Sequence, residues 1–132
     1  MAFFLDTSIV VAAFDTNNRH IIDAIMGTHA EYIKIPSVTL AELIHGAHKC
    51  NNFERRMNDI TNFVKPYEII PFDALASSVY GKIKAELEAK GRAIGCNDLL
   101  IAATAMSRGG ILVTCDKGFS HVKGLHTDDW SE

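Results

Sequence analysis

The chain of 132 residues is poor in several of the features that mark particular protein classes, and each scarcity removes a class. Only three cysteines occur, Cys50, Cys96 and Cys115, an odd number with no C-x-x-C spacing. That excludes a disulfide framework and a zinc finger, and leaves reduced thiols that should act as small buried hydrophobes. No uninterrupted apolar run reaches the roughly 18 residues that a bilayer requires. The apolar start, Met1 to Phe14, carries Asp6 in its middle and lacks a basic leader, so neither an anchor nor a secretion signal is expected and the cytoplasm is the expected location. Three prolines, no internal repeat and no low-complexity tract leave nowhere to divide the chain, which points to a single domain spanning 1–132.

Positive charge is scarce as well. Thirteen Lys and Arg stand against sixteen Asp and Glu, a formal net charge of -3, which excludes a broad electrostatic grip on nucleic acid. A local patch remains open, because Lys82, Lys84, Lys90, Arg92, Arg108, Lys117 and Lys123 all fall in the C-terminal half.

What is present is a regular alternation of elements. Ala2 to Leu5 reads as a short buried strand, followed by helices from Ser8 to about Phe14 and from about Arg19 to Met26, separated by the polar turn Asp15 to Asn18. Tyr32 to Ile35 gives a second strand, closed by Pro36, and Thr39 to Glu42 has the spacing of a capping box opening a helix to about Lys49. Phe53, Met57, Ile60 and Val64 fall on one face of a helix from about Asn52 to Val64, and Tyr67 to Ile70 forms a third strand. Asp73 can cap a long helix ending near Lys90, with Gly91 as its stop; Asn97 and Asp98 open another that ends before Gly109 and Gly110. Ile111 to Thr114 is the fourth strand, and a segment around Val122 to His126 is a candidate edge strand. Strands separated by helices imply crossovers, hence a three-layer α/β/α domain around a parallel sheet of four to five strands.

In such sheets ligands gather at the carboxyl ends of the strands. Asp6 ends the first strand, Glu42 lies in the first turn of the helix after the second, Asp98 lies in the first turn of its helix, and Asp116 follows the fourth strand. Each has an ordinary alternative as a helix cap, a capping-box member or a turn former. The flanking runs Phe3 to Leu5 and Leu99 to Ala103 are apolar, however, and like charges at the margin of a core need a cation to balance them. Oxygen ligands without Cys or His at finger spacing favour Mg²⁺, with Mn²⁺ as a substitute, over zinc. The chemistry that follows is hydrolysis of a phosphodiester, leaving 5′-phosphate and 3′-hydroxyl ends.

Four segments carry a resemblance. Phe4-Leu5-Asp6-Thr7-Ser8, Thr39-Leu40-Ala41-Glu42-Leu43 with Gly46, Ile94 to Ala103 with Asn97-Asp98-Leu99-Leu100-Ile101 at its centre, and Leu112-Val113-Thr114-Cys115-Asp116 resemble the four ordered motifs of VapC-type PIN-domain toxins, and the ending Val122 to Trp130 resembles that family's tail. The resemblance implies a PIN fold, an RNA substrate such as initiator tRNA or another tRNA, a homodimer, and a cognate VapB-type antitoxin. It further implies that Asp6 and Asp98 bind metal most directly, that Glu42 completes the metal shell or positions water, and that Asp116 contributes directly or through water. Thr7, Ser8 and Thr114 match hydroxyls that steady these acids. Apolar residues in Ile9 to Phe14 and Ile21 to Met26, with Leu40, Leu43 and Ile44, offer a groove for an antitoxin helix, although most large apolar groups of so short a chain belong in its core.

Rival readings fit less well. A phosphoacceptor receiver domain needs paired acids after the first strand and an acceptor at the end of the third, whereas Asp6 stands alone and Ile70 runs into Pro71. Glu42-x-x-His45 has di-iron spacing but occurs once among strands, so His45 and His48 are expected to be solvated helix residues. A catalytically inactive PIN-fold binding module remains as the alternative with the same fold, opposed by the intact acids.

Overall fold

A computed structural model describes all residues from Met1 to Glu132. Five short strands form one parallel sheet: β1 Phe3–Leu5, β2 Ile33–Pro36, β3 Glu68–Ile70, β4 Ile111–Val113 and β5 His126–Asp128, in the spatial order β3-β2-β1-β4-β5. The central strand aligns Phe3 with Ile33 on one side and with Ile111 on the other. Its neighbours on both edges and helices on both faces explain why β1 and β4 read as unbroken apolar runs.

Six helices cover the sheet: α1 Thr7–Asp15, α2 Arg19–Met26, α3 Ser37–Lys49, α4 Phe53–Val64, α5 Ala74–Ala89 and α6 Cys96–Ser107. Strand alternation divides the core in two. Leu5 and Val113 pack with Ile9, Val10, Ile21, Ile25, Leu43 and Ile60 from α1 to α4, while Phe4 and Leu112 pack with Ile83, Leu87, Leu99 and Ile101 from α5 and α6. This is the three-layer parallel architecture expected from the sequence.

The chain walks outward from β1 to β2 and β3, then returns through α5 and α6 to β4 on the far side of β1. The connections leaving β1 and β4 therefore diverge to opposite faces of the sheet, opening a crevice at their carboxyl ends. Asp6 and Asp116 stand on the segments that flank it. The return depends on a tight junction after α6. Gly109 adopts φ +63, and a Cβ on Gly110 would lie 2.4 Å from Cε1 of the buried Phe4.

Three local expectations give way. The edge strand is His126–Asp128, not the segment around Val122; Lys117–His121 forms a 3-10 turn that drives Phe119 and Val122 into the core, and β5 pairs through its backbone while all three of its side chains face outward. The capping box does not form. Pro36 occupies the cap position of α3, so Thr39 already lies inside the helix, fully buried, and its hydroxyl donates to the Leu5 carbonyl at 3.0 Å. The three cysteines are free but exposed, each at or beside a helix or strand end rather than in an apolar layer. His45 and His48 are exposed on α3, as expected.

Candidate active site

Asp6 occupies the cap position of α1, yet its side chain makes no cap hydrogen bond. Its Oδ2 instead accepts from Ser8 Oγ at 2.8 Å and Thr114 Oγ1 at 2.7 Å, which ties the end of β1 to the end of β4. Only 3% of this residue is exposed, and burial pushes its carboxyl above the usual carboxylate range against the opposing pull of those hydroxyls. The ordinary reading of Asp6 as a helix cap is thereby excluded.

Glu42 reaches toward the same edge from the second turn of α3. Thr7 Oγ1 donates to its Oε1 at 2.5 Å, and Asn97 Nδ2 donates to its Oε2 at 3.3 Å. Three separate segments are thus joined through one carboxylate. The tie from Thr39 to Leu5 sets the start of α3 against the end of β1 and so fixes the platform from which Glu42 projects.

Asp98 lies in the first turn of α6 and makes no side-chain hydrogen bond to the helix start. Its carboxyl is pushed up to about 6, first by burial and then by the charges of Asp6, Asp116 and Glu42. Hydrogen bonds draw the segments that carry the acids to one edge, since Thr114 joins Asp6 to the Asp116 amide and Asn97, beside Asp98, reaches Glu42. Leu99 and Ile101 beneath Asp98 are buried, and each such side chain contributes about 2 kcal/mol to keeping the helix seated.

Asp116 is more exposed and begins the 3-10 turn, with Oδ1 accepting from the Gly118 amide at 2.8 Å. Thr114 Oγ1 accepts from the Asp116 amide at 3.0 Å while donating to Asp6, so one hydroxyl links two of the acids. Ser8 and Thr114 also approach each other at 3.3 Å, and the Cys115 amide donates to Ser8 Oγ. All the hydroxyls singled out in the sequence, Thr7, Ser8 and Thr114, bond to this group of acids. Asn97 and Thr39 are additional positioning residues. The sequence shows Asn97 only as a helix opener beside Asp98, and Thr39 only as a cap.

The donor set suits a hard divalent cation. No group of three or more Asp, Glu, His or Cys side chains stands close enough together to hold a metal ion by protein ligands alone. Mg²⁺ does not demand one, since it keeps several waters and is held by one or two carboxylates. Carboxylate oxygens supported by neutral hydroxyl and amide donors, with Asp6 and Asp98 both raised by burial and by neighbouring acids, fit such an ion better than zinc. A cleft of about 330 Å³ lined by Glu42, Gly95, Cys96, Asn97 and Asp98 opens this edge to solvent.

Of the apolar residues expected to form a groove, Ile9, Ile21, Ile25 and Leu43 lie in the core, while Val11, Phe14 and Gly46 line, together with Leu43, a 210 Å³ cleft that reaches Glu42.

Residues 3–125 match the family model described as the PIN domain. The chain belongs to the PIN-domain family. Within that family it sides with the VapC proteins. It is 38% identical over 132 residues to the "tRNA(fMet)-specific endonuclease VapC" of Shigella flexneri, covering 99% of each chain. It is 34% identical to the "Ribonuclease VapC2" of Rickettsia felis, covering 100% of each. The solved structure of DNA-bound VapBC from Salmonella typhimurium superposes with a TM-score of 0.93 at 33% identity, covering 98% of both chains. The four acids of this PIN domain all lie within the matched residues.

Proposed function

We propose that this PIN-domain protein is a Mg²⁺-dependent endoribonuclease toxin whose catalytic acids are Asp6, Glu42, Asp98 and Asp116. The observation that carries this reading is the bracing of the carboxylates at one sheet edge, Asp6 by Ser8 and Thr114 and Glu42 by Thr7 and Asn97, with Asp98 beside them raised by burial and by the neighbouring acids. Asp6 and Asp98 would hold the metal. When bound, the metal would offset the charge that develops on a phosphodiester and orient a water for in-line attack.

Around that ion the chain's own groups have distinct tasks. Thr114 and Ser8 fix Asp6, so that its carboxylate is presented in one orientation. Thr7 and Asn97 do the same for Glu42, which directs the attacking water and accepts its proton. The new P–O bond forms from water, the P–O3′ bond breaks, the departing O3′ takes a proton from solvent water, and the products are a 5′-phosphate and a 3′-hydroxyl. Asp116, the more exposed acid, acts directly or through water.

Likeness to a tRNA(fMet)-specific endonuclease makes initiator tRNA the first substrate to try. Likeness to VapBC complexes supports a VapB-type antitoxin that silences the enzyme in the cytoplasm, and the family resemblance extends to a homodimer. The test is cleavage of purified tRNAs and total RNA with sequencing of the new 5′ ends. Mg²⁺ or Mn²⁺ should support cutting, EDTA should stop it, and Zn²⁺ or Ca²⁺ should do poorly. Undiminished turnover in EDTA would rule out the metal, and absence of cutting with every RNA would rule out the nuclease.

A further inference from the structure

Four like charges repel the substrate this site is proposed to cut, so cations must hold the RNA beside it. Of the five arginines, Arg19, Arg56 and Arg108 are committed to ion pairs with Asp23, Asp15 and Asp73. Arg55, on α4, and Arg92 pair with no acid, and of the two Arg92 lies on the loop that enters α6. Its guanidinium meets the His121 ring instead, Nη1 to Nε2 at 3.4 Å. The two side chains come from the segments that carry Asp98 and Asp116: Arg92 from the loop entering α6, His121 from the end of the turn that Asp116 begins.

The strip continues toward the acids. Arg92 and Lys84 line one shallow cleft of 120 Å³, where Glu88 is present but ion-paired to neither. Lys84 Nζ donates to the Tyr80 hydroxyl at 3.4 Å and lies 5.6 Å from the centre of its ring. The Tyr80 hydroxyl is in turn 3.7 Å from Sγ of Cys96, which lines the cleft with Glu42 and Asp98. Exposed cations thus lie together beside the start of α6, and one of them is held in place by an aromatic ring.

We infer that Lys84, Arg92 and His121 form a grip for the phosphodiester backbone of an RNA strand, seating the phosphates next to the one being cut. Tyr80 is the positioning residue that aims Lys84. Arg92 keeps guanidinium donors that no carboxylate takes, with the His121 ring beside it, and a phosphate is the partner that suits them. This inference rests on the ribonuclease reading.

The experiment measures cleavage of a labelled RNA in Mg²⁺ across a range of salt for wild type, Lys84→Gln, Arg92→Gln, His121→Gln and the triple variant, with Lys65→Gln as a charge control on the end of α4. All the substituted side chains are exposed, so thermal melts should coincide with wild type. Each grip variant should raise KM several-fold, and the triple variant should lower the salt dependence of binding by about one unit for each phosphate no longer held. Tyr80→Leu should act in the same direction but add nothing once Lys84 is Gln. Unchanged KM and salt dependence in an actively cleaving background would overturn the grip alone. The same holds if the variants weaken inhibition by an antitoxin but leave KM for RNA unaltered, which would assign the strip to protein binding. Failure of wild type to cleave would bring down the ribonuclease reading itself, and the grip with it.

Discussion

At the residue scale, the acids are not equivalent. Asp6 is buried and braced by two hydroxyls, Glu42 is braced through both oxygens, and Asp98 has neighbours that mostly repel it. Because Asp98 rises from 3.8 to about 6 in the fold, its ionised form opposes folding. That cost is absent below pH about 4, grows as pH climbs toward 6 and is complete above it. A shift of this size corresponds to about 3 kcal/mol, and partial exposure reduces the usable figure to about 1 kcal/mol. Asp98→Asn should therefore stabilise the metal-free protein by about 1 kcal/mol near neutral pH and by almost nothing at pH about 4, while abolishing cleavage. Urea denaturation in EDTA at the two pH values checks this. Equal effects at both would mean that the fold does not raise the Asp98 carboxyl. Asp98 could be found in the sequence because it heads an apolar helix. Asn97 beside it could not be given a task, since its amide acquires one only when α3 brings Glu42 within reach.

At the scale of elements, two junctions aim the site. Thr39 joins α3 to β1 through a fully buried hydrogen bond to the Leu5 carbonyl. Thr39→Val keeps the shape and removes the donor, so it should cost about 1–2 kcal/mol by leaving a buried carbonyl without its partner. Turnover should fall with it, because Glu42 is carried by the same helix; loss of stability with unaltered kcat would separate the junction from the chemistry. The second junction is Gly110, where an added Cβ would meet Phe4 at 2.4 Å and the Ala2 carbonyl at 3.1 Å. Phe4 is 1% exposed and cannot swing aside, so Gly110→Ala should destabilise by about 2–3 kcal/mol, measurable as a lowered urea midpoint. A neutral substitution there would show that the α6–β4 connection can relax. The sequence marked Gly109 and Gly110 as a helix end, but the reason for the second glycine lies in a strand at the opposite end of the chain.

At the scale of the whole molecule, the two apolar clusters share β1 and β4, one strand sending Phe4 to one and Leu5 to the other. We propose that 1–132 behaves as one domain and unfolds in a single transition seen alike by circular dichroism and by the fluorescence of Trp130, which packs on Phe3 of β1. Two separated transitions would show that the clusters fold independently. Mg²⁺ should move that transition upward, by about 2.7 kcal/mol at a hundredfold excess over its Kd, and Asp6→Ala should remove the effect. The sequence by itself determined the order of strands and helices, the parallel sheet, and which acids fall near strand and helix ends, because periodicity and strand-end position are local properties. It also carried the family likeness, because ordered motifs survive in one dimension. Only the tertiary structure decided that the Thr39 hydroxyl turns to β1 rather than capping its own helix, that β5 pairs at His126–Asp128 with no apolar pattern to announce it, and that the thiols lie at the surface. Each of these depends on which distant backbone or side chain arrives alongside, a neighbour that exists only after the chain has closed on itself.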